Sequence, residues 1–130
     1  MRIDPAVIRP SQTALVVVDM VRDFTDPDGL VFYPMNRQIL PAIVRLGHQT
    51  GTLVIFMQHR YRSGKYDRNL ETMRPNCIEG SGGEALDPAL PVDRERDYII
   101  RKRRYSAFYG TDLDLVLREH GIKNVAVVGT

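Results

Sequence analysis

One cysteine, Cys77, is all the thiol in this chain of 130 residues. No internal disulfide can staple the fold, and nothing in the chain requires an oxidising compartment. No uninterrupted apolar run approaches the roughly 18 residues of a membrane span, and residues 1–13 lack the apolar stretch of a secretion signal. An excess of one charge is also missing: 18 basic residues against 16 acidic ones leave a formal net charge of +2, too small to imply a polyanion as partner. No segment repeats, and none is of low complexity. Together these absences leave a cytoplasmic protein without a membrane partner as the expectation.

What is present is the composition of an ordinary globular domain, 43% hydrophobic and 26% charged. A single domain over 1–130 is expected, able to bury roughly two thirds of its unfolded surface. Residues 13–20 form a β-branched run ending at Asp19, the pattern of a strand buried on both faces. After a loop rich in Pro, Asp and Gly, residues 36–50 carry Ile39, Leu40, Ile43, Val44 and Leu46 at helical spacing, with Gly51 as the stop and Pro41 as a weak point. A second apolar strand is predicted over 52–57, which makes a right-handed parallel strand–helix–strand unit.

Residues 58–96 are polar and rich in Gly, Pro and Arg, with no sustained period. Loops of this length in a compact domain usually cover or bind something, so part of an active-site wall is placed here. A short third strand is predicted over 97–101, and a helix over 111–120 with Thr111 as N-cap. A fourth buried strand is predicted over 124–130. The fold class expected is α/β, a Rossmann-like doubly wound parallel sheet with helices on both faces in three layers. Four strands with two clear helices leave apolar sheet uncovered, so the fold is expected to continue past Thr130.

Ligands of open parallel sheets sit at the carboxyl ends of the strands. Asp19, His59 and Lys102 stand there. An acid at the tip of a buried strand is either a satisfied loop anchor or a general base, and the residues alone leave both open. Lys102 beside such an acid would hold it ionised and stabilise developing negative charge. Taken alone, its run Arg101-Lys-Arg-Arg104 reads first as a solvated basic surface.

Four stretches in order carry a resemblance: Val-Val-Val-Asp19-Met-Val-Arg-Asp-Phe24, Lys102-Arg-Arg-Tyr-Ser-Ala-Phe108, Gly110-Thr-Asp-Leu-Asp114 and Gly121-Ile-Lys-Asn-Val-Ala-Val-Val-Gly129. The chain resembles the isochorismatase-like cysteine hydrolases, collinearly from about Ser11 onward, and looks most like their ureidoacrylate and N-carbamoylsarcosine amidohydrolase branch. The resemblance implies an Asp–Lys–Cys triad on a Rossmann-like sheet, with Asp19 as base and Lys102 as its electrostatic partner. The family nucleophile would fall just beyond Thr130. Cys77 does not match that position and reads as a buried or incidental thiol.

By the same resemblance the substrate is a small amide or ureido compound, hydrolysed through a thioester without a cofactor. Nicotinamidases of the family carry an Asp-x-His pair and a later His that bind a metal. The corresponding stretch here is Met57-Gln-His59, so no metal is expected. Tyr105, His59, Tyr61 and Asn69 are the implied substrate contacts, and family habit implies a homo-oligomer. The alternatives are an isochorismatase-type vinyl ether hydrolase and an inactive family member. A nucleic-acid-binding module is the distant rival, suggested by Arg101–Arg104 and opposed by the acids at Asp93, Glu95 and Asp97 and by the near-neutral balance.

Overall fold

In the computed structural model, which describes residues 8–48 and 51–130, the chain forms one parallel sheet. Its strands are β1 (Thr13–Val18), β2 (Leu53–His59), β3 (Tyr98–Lys102) and β4 (Asn124–Gly129), in the order β3-β2-β1-β4. The helices are α1 (Arg22–Thr25), α2 (Pro34–Gly47) and α3 (Leu113–Glu119). No helix among the described residues is long and apolar enough to cross a membrane.

Side chains of a strand point alternately to its two faces, and here each face has its own core. Ala14 and Val16 of β1, Ile55 and Met57 of β2 and Ile100 of β3 pack with Leu113, Val116 and Leu117 of α3. Leu15 and Val17 of β1 and Val54 and Phe56 of β2 pack with Leu40 and Ile43 of α2. The expected doubly wound sheet with helices on both faces is therefore what forms. Burying each such aliphatic side chain stabilises the fold by about 1.5–3 kcal/mol, and the four central residues of β1 are buried throughout.

The strands run slightly differently from the sequence expectation. β1 stops at Val18 because Asp19 turns into the left-handed region, φ 54, and β2 extends to His59 and β3 to Lys102 because their ends pair in register, His59 opposite Lys102. α2 starts two residues earlier than expected, at Pro34, whose fixed φ suits a first helical turn. Its predicted end at 49–50 lies outside the described residues. Pro41 is inside the helix but on its exposed side. At α3 the N-cap position is Asp112 rather than Thr111, although the Thr111 hydroxyl still accepts the Leu113 N–H at 3.3 Å.

The long segment after β2 contains a single 3-10 turn, Arg68–Glu71, and is held by side chains. Asp23 does much of this. Its carboxylate accepts the Cys77 N–H at 2.6 Å and the Leu30 N–H at 3.2 Å, and its own N–H donates to the Gly83 carbonyl at 2.9 Å. Gly83 is required there, because a Cβ would lie 2.3 Å from the Asp23 carboxylate. At the other edge of the sheet, β4 is only partly covered, with Val125 43% and Val127 67% exposed.

Candidate active site

The left-handed turn at Asp19 lifts its carboxylate over the carboxyl end of the sheet, where β2 delivers His59 and β3 delivers Lys102. Asp19 Oδ2 lies 2.6 Å from Lys102 Nζ. Lys102 Nζ is also 3.2 Å from His59 Nδ1 and donates to the Arg104 carbonyl at 3.0 Å. All three residues are over nine-tenths buried, with Asp19 8%, His59 5% and Lys102 2% exposed. The Tyr105 carbonyl is a fourth acceptor at 3.5 Å, so the three protons of the ammonium are engaged within the protein. Its charge acts on Asp19.

Two atoms of the cluster remain without a partner, Asp19 Oδ1 and His59 Nε2. Lys102 donates to Nδ1 of the imidazole, so the ring proton belongs on Nε2, a donor with nothing yet to donate to. Burial together with the Lys102 charge pushes His59 down to about 4. The ring is neutral near pH 7, and its 3.8 Å approach to Asp19 Oδ2 is no ion pair. Burial also raises the Asp19 carboxyl above its ordinary value, against the opposing pull of Lys102. A carboxylate raised in this way accepts a proton more readily than a solvated one.

Of the other residues singled out by sequence, Tyr61 is fully buried and packs edge-on against the His59 ring, with centroids 4.6 Å apart. Asn69 donates through Nδ2 to the Tyr61 hydroxyl and to the Arg103 carbonyl, both at 3.3 Å. It ties the long segment to the end of β3. Tyr105 is 77% exposed, and its hydroxyl reaches only the Met73 sulfur, at 3.5 Å. Asp19, His59 and Lys102 thus form one cluster. Tyr61 and Asn69 form the wall behind it, and Tyr105 stands at the surface.

Asp67 escaped the sequence reading. Its buried carboxylate accepts from Arg103 at 2.8 Å, from Arg104 at 2.9 Å and from the Asn69 N–H at 3.0 Å. It thereby fixes the backbone whose Arg104 carbonyl holds Lys102. One acid in a polar loop carries no periodic signal, so pattern reading had no means of finding it. Cys77 is fully buried, and burial pushes its thiol far up, so it is not a ready thiolate. Among the described residues no group of three or more His, Cys, Asp or Glu side chains is placed to hold a metal ion.

The isochorismatase domain model matches residues 13–130, and the chain belongs to the isochorismatase family. It is 31% identical over 128 residues to a probable inactive nicotinamidase of Arabidopsis thaliana, covering 90% of this chain and 65% of that protein. It is 29% identical over 159 residues to the ureidoacrylate amidohydrolase of Acinetobacter baylyi, covering 99% of this chain and 64% of that protein. The chain therefore spans just under two thirds of the length of these two relatives. Among solved structures, the N-carbamoylsarcosine amidase of Thermoplasma acidophilum superposes with a TM-score of 0.77 at 30% identity, covering 91% of this chain and 67% of that one.

Proposed function

We propose that the protein is a cysteine amidohydrolase acting on a small amide, ureido or carbamoyl substrate. The observation that carries this reading is the 2.6 Å contact between Asp19 Oδ2 and Lys102 Nζ in a buried site at the carboxyl ends of the strands, in a chain of the isochorismatase family. Its similarity to a ureidoacrylate amidohydrolase and to an N-carbamoylsarcosine amidase supports the C–N bond as the target.

In this reading Asp19 is the base. Its free Oδ1 takes the proton of a cysteine thiol, and the thiolate attacks the substrate carbonyl carbon. Lys102, held by His59 and the Arg104 carbonyl, keeps Asp19 ionised before the transfer and stabilises negative charge during it. The amine leaves with the proton from Asp19. Water then attacks the thioester, with Asp19 accepting a proton again, and the carboxylic or carbamic acid departs. The attacking thiol in this reading is the cysteine that the family resemblance expects just beyond Thr130, and the buried Cys77 plays no part. In this reading the Nε2–H of His59 donates to a substrate oxygen, and the exposed Tyr105 ring packs on a planar substrate.

The test is release of amine or ammonia from a panel of ureido, carbamoyl and simple amide substrates by the full-length protein. Hydrolysis of one of them, a thioester adduct by mass spectrometry, and loss of turnover in Asp19→Asn with the fold retained are the expected results. Turnover retained in Asp19→Asn removes the base assignment. Cleavage of an enol ether with no amide hydrolysed moves the protein to the isochorismatase reaction.

A further inference from the structure

Next to the Asp19–Lys102 cluster, a cleft of about 470 Å³ opens between the segment leaving β2 and the segment leaving β3, with Lys102 in its lining. Six cations besides Lys102 line it: Arg60, Arg62 and Lys65 from the first segment, and Arg101, Arg103 and Arg104 from the second. The lining contains one acid, Glu79, and it is already engaged by Arg60. Arg103 and Arg104 share the single carboxylate of Asp67. That leaves one surplus charge between the two arginines, and Arg62, Lys65 and Arg101 form no ion pair with any described residue.

This differs from an ordinary solvated basic face in its construction. Asp67 is 6% exposed and grips both guanidiniums, at 2.8 and 2.9 Å. Two of the cations are therefore oriented before any ligand arrives, which removes much of the entropy that long side chains lose on binding. Guanidinium forks match the oxygens of phosphate. Concavity focuses the field of several like charges onto one small volume.

We propose that this cleft is a binding site for a small polyanion bearing phosphate, of the size and charge of a diphosphate or a phosphate monoester. A monocarboxylate would neutralise only one of the surplus cations, whereas a diphosphate, with about three negative charges at neutral pH, matches Arg62, Lys65 and Arg101 together. A nucleic acid fits less well, since the cleft is small. The site does not depend on the hydrolase reading, and none of its surplus cations belongs to the catalytic cluster.

The test is calorimetric titration of the full-length protein with sodium pyrophosphate, glycerol phosphate, succinate and a short mixed-sequence DNA duplex. The runs are made at about 0.01 M and about 0.15 M ionic strength, between which the Debye length falls from about 30 Å to about 8 Å. Saturable one-to-one binding of pyrophosphate or glycerol phosphate is expected, with succinate weaker. Whichever phosphate binds more tightly identifies the ligand as a diphosphate or a monoester. Arg101→Gln should weaken binding about tenfold, as loss of one charged hydrogen bond does. Arg118→Gln, on the exposed face of α3, should leave it unchanged. Absence of saturable binding, an equal loss in both variants, or tighter binding of the duplex than of pyrophosphate would each overturn the proposal. Thermal unfolding of Arg101→Gln is run alongside, and a native-like melting curve assigns any lost binding to the missing charge.

Discussion

His59 and Lys102 leave their strands on one face of the sheet, and their neighbours Gln58 and Arg101 leave on the other, each pair in register across β2 and β3. One residue of offset separates two regions that treat charge in opposite ways. On the first face every proton of the Lys102 ammonium has an acceptor and the carboxylate beside it is buried, so the charges are matched and dry. On the second, Arg101 is exposed and makes no ion pair among the described residues, and it joins the exposed Arg62 and Lys65 in a cleft whose cations outnumber its acids. Buried charge demands a partner, and an unpaired one costs several kcal/mol. Exposed charge can stay in surplus because water screens it. The strand pleat thus lets one basic run, Arg101-Lys-Arg-Arg104, supply both a buried lysine paired with Asp19 and an exposed electrostatic surface.

The contrast is broken most severely at Lys102. Lys102→Met leaves the Asp19 carboxyl buried without its cation, and a loss of about 3–5 kcal/mol in stability is expected from chemical denaturation. Adding Asp19→Asn to Lys102→Met should recover part of that loss, because the second change removes the stranded charge. A double variant no more stable than Lys102→Met would mean that the pair is not the source of the cost.

A second, smaller effect sharpens the same face through pH. Burial and then the Lys102 charge push His59 from its ordinary 6.5 down to about 4 in the fold. Its folded value is lowered, so the unfolded chain binds the extra proton. Stability from this group is complete above about pH 6.5 and falls as pH drops through 6.5 toward 4. The full change is about 3 kcal/mol. Asp19, raised in the fold, acts with the opposite sign, favouring the folded state as pH falls. Comparing the native chain with His59→Gln across pH 4 to 7 isolates the histidine contribution, and the imidazole signals followed by NMR should show a neutral ring at pH 5.

Much of this was legible in the sequence where burial imposes a pattern. The apolar runs over 13–18 and 53–57 and the spacing of Leu40 and Ile43 read correctly because two-sided burial leaves no room for polar residues. Asp19 and Lys102 could be located at strand ends for the same reason. Their contact at 2.6 Å could not, because β1 and β3 are separated by β2 and only the strand order brings their ends together. Residues 60–97 were the least legible. They are held by single side chains, Asp23 on Cys77 and Asp67 on Arg103 and Arg104, and such a tie has no period. The four-residue α1 (Arg22–Thr25) was missed because it is too short to show one.

The smallest expected effect lies on the cation-rich face and has a distinctive sign. Arg62→Gln, Lys65→Gln and Arg101→Gln remove cations that make no ion pair among the described residues, so each should shift stability by no more than about 0.5 kcal/mol. Because the remaining cations of the cleft repel one another, the triple variant should be as stable as the native chain or slightly more so, and the gain should be larger at low salt and vanish as salt rises. That outcome is the reverse of Lys102→Met, one residue from Arg101, where loss of a cation unbalances a buried pair. A triple variant that unfolds more easily than the native chain, with no dependence on salt, would mean that these side chains hold the fold through packing of their alkyl stems, and the division between the two faces would then rest on contact rather than on charge.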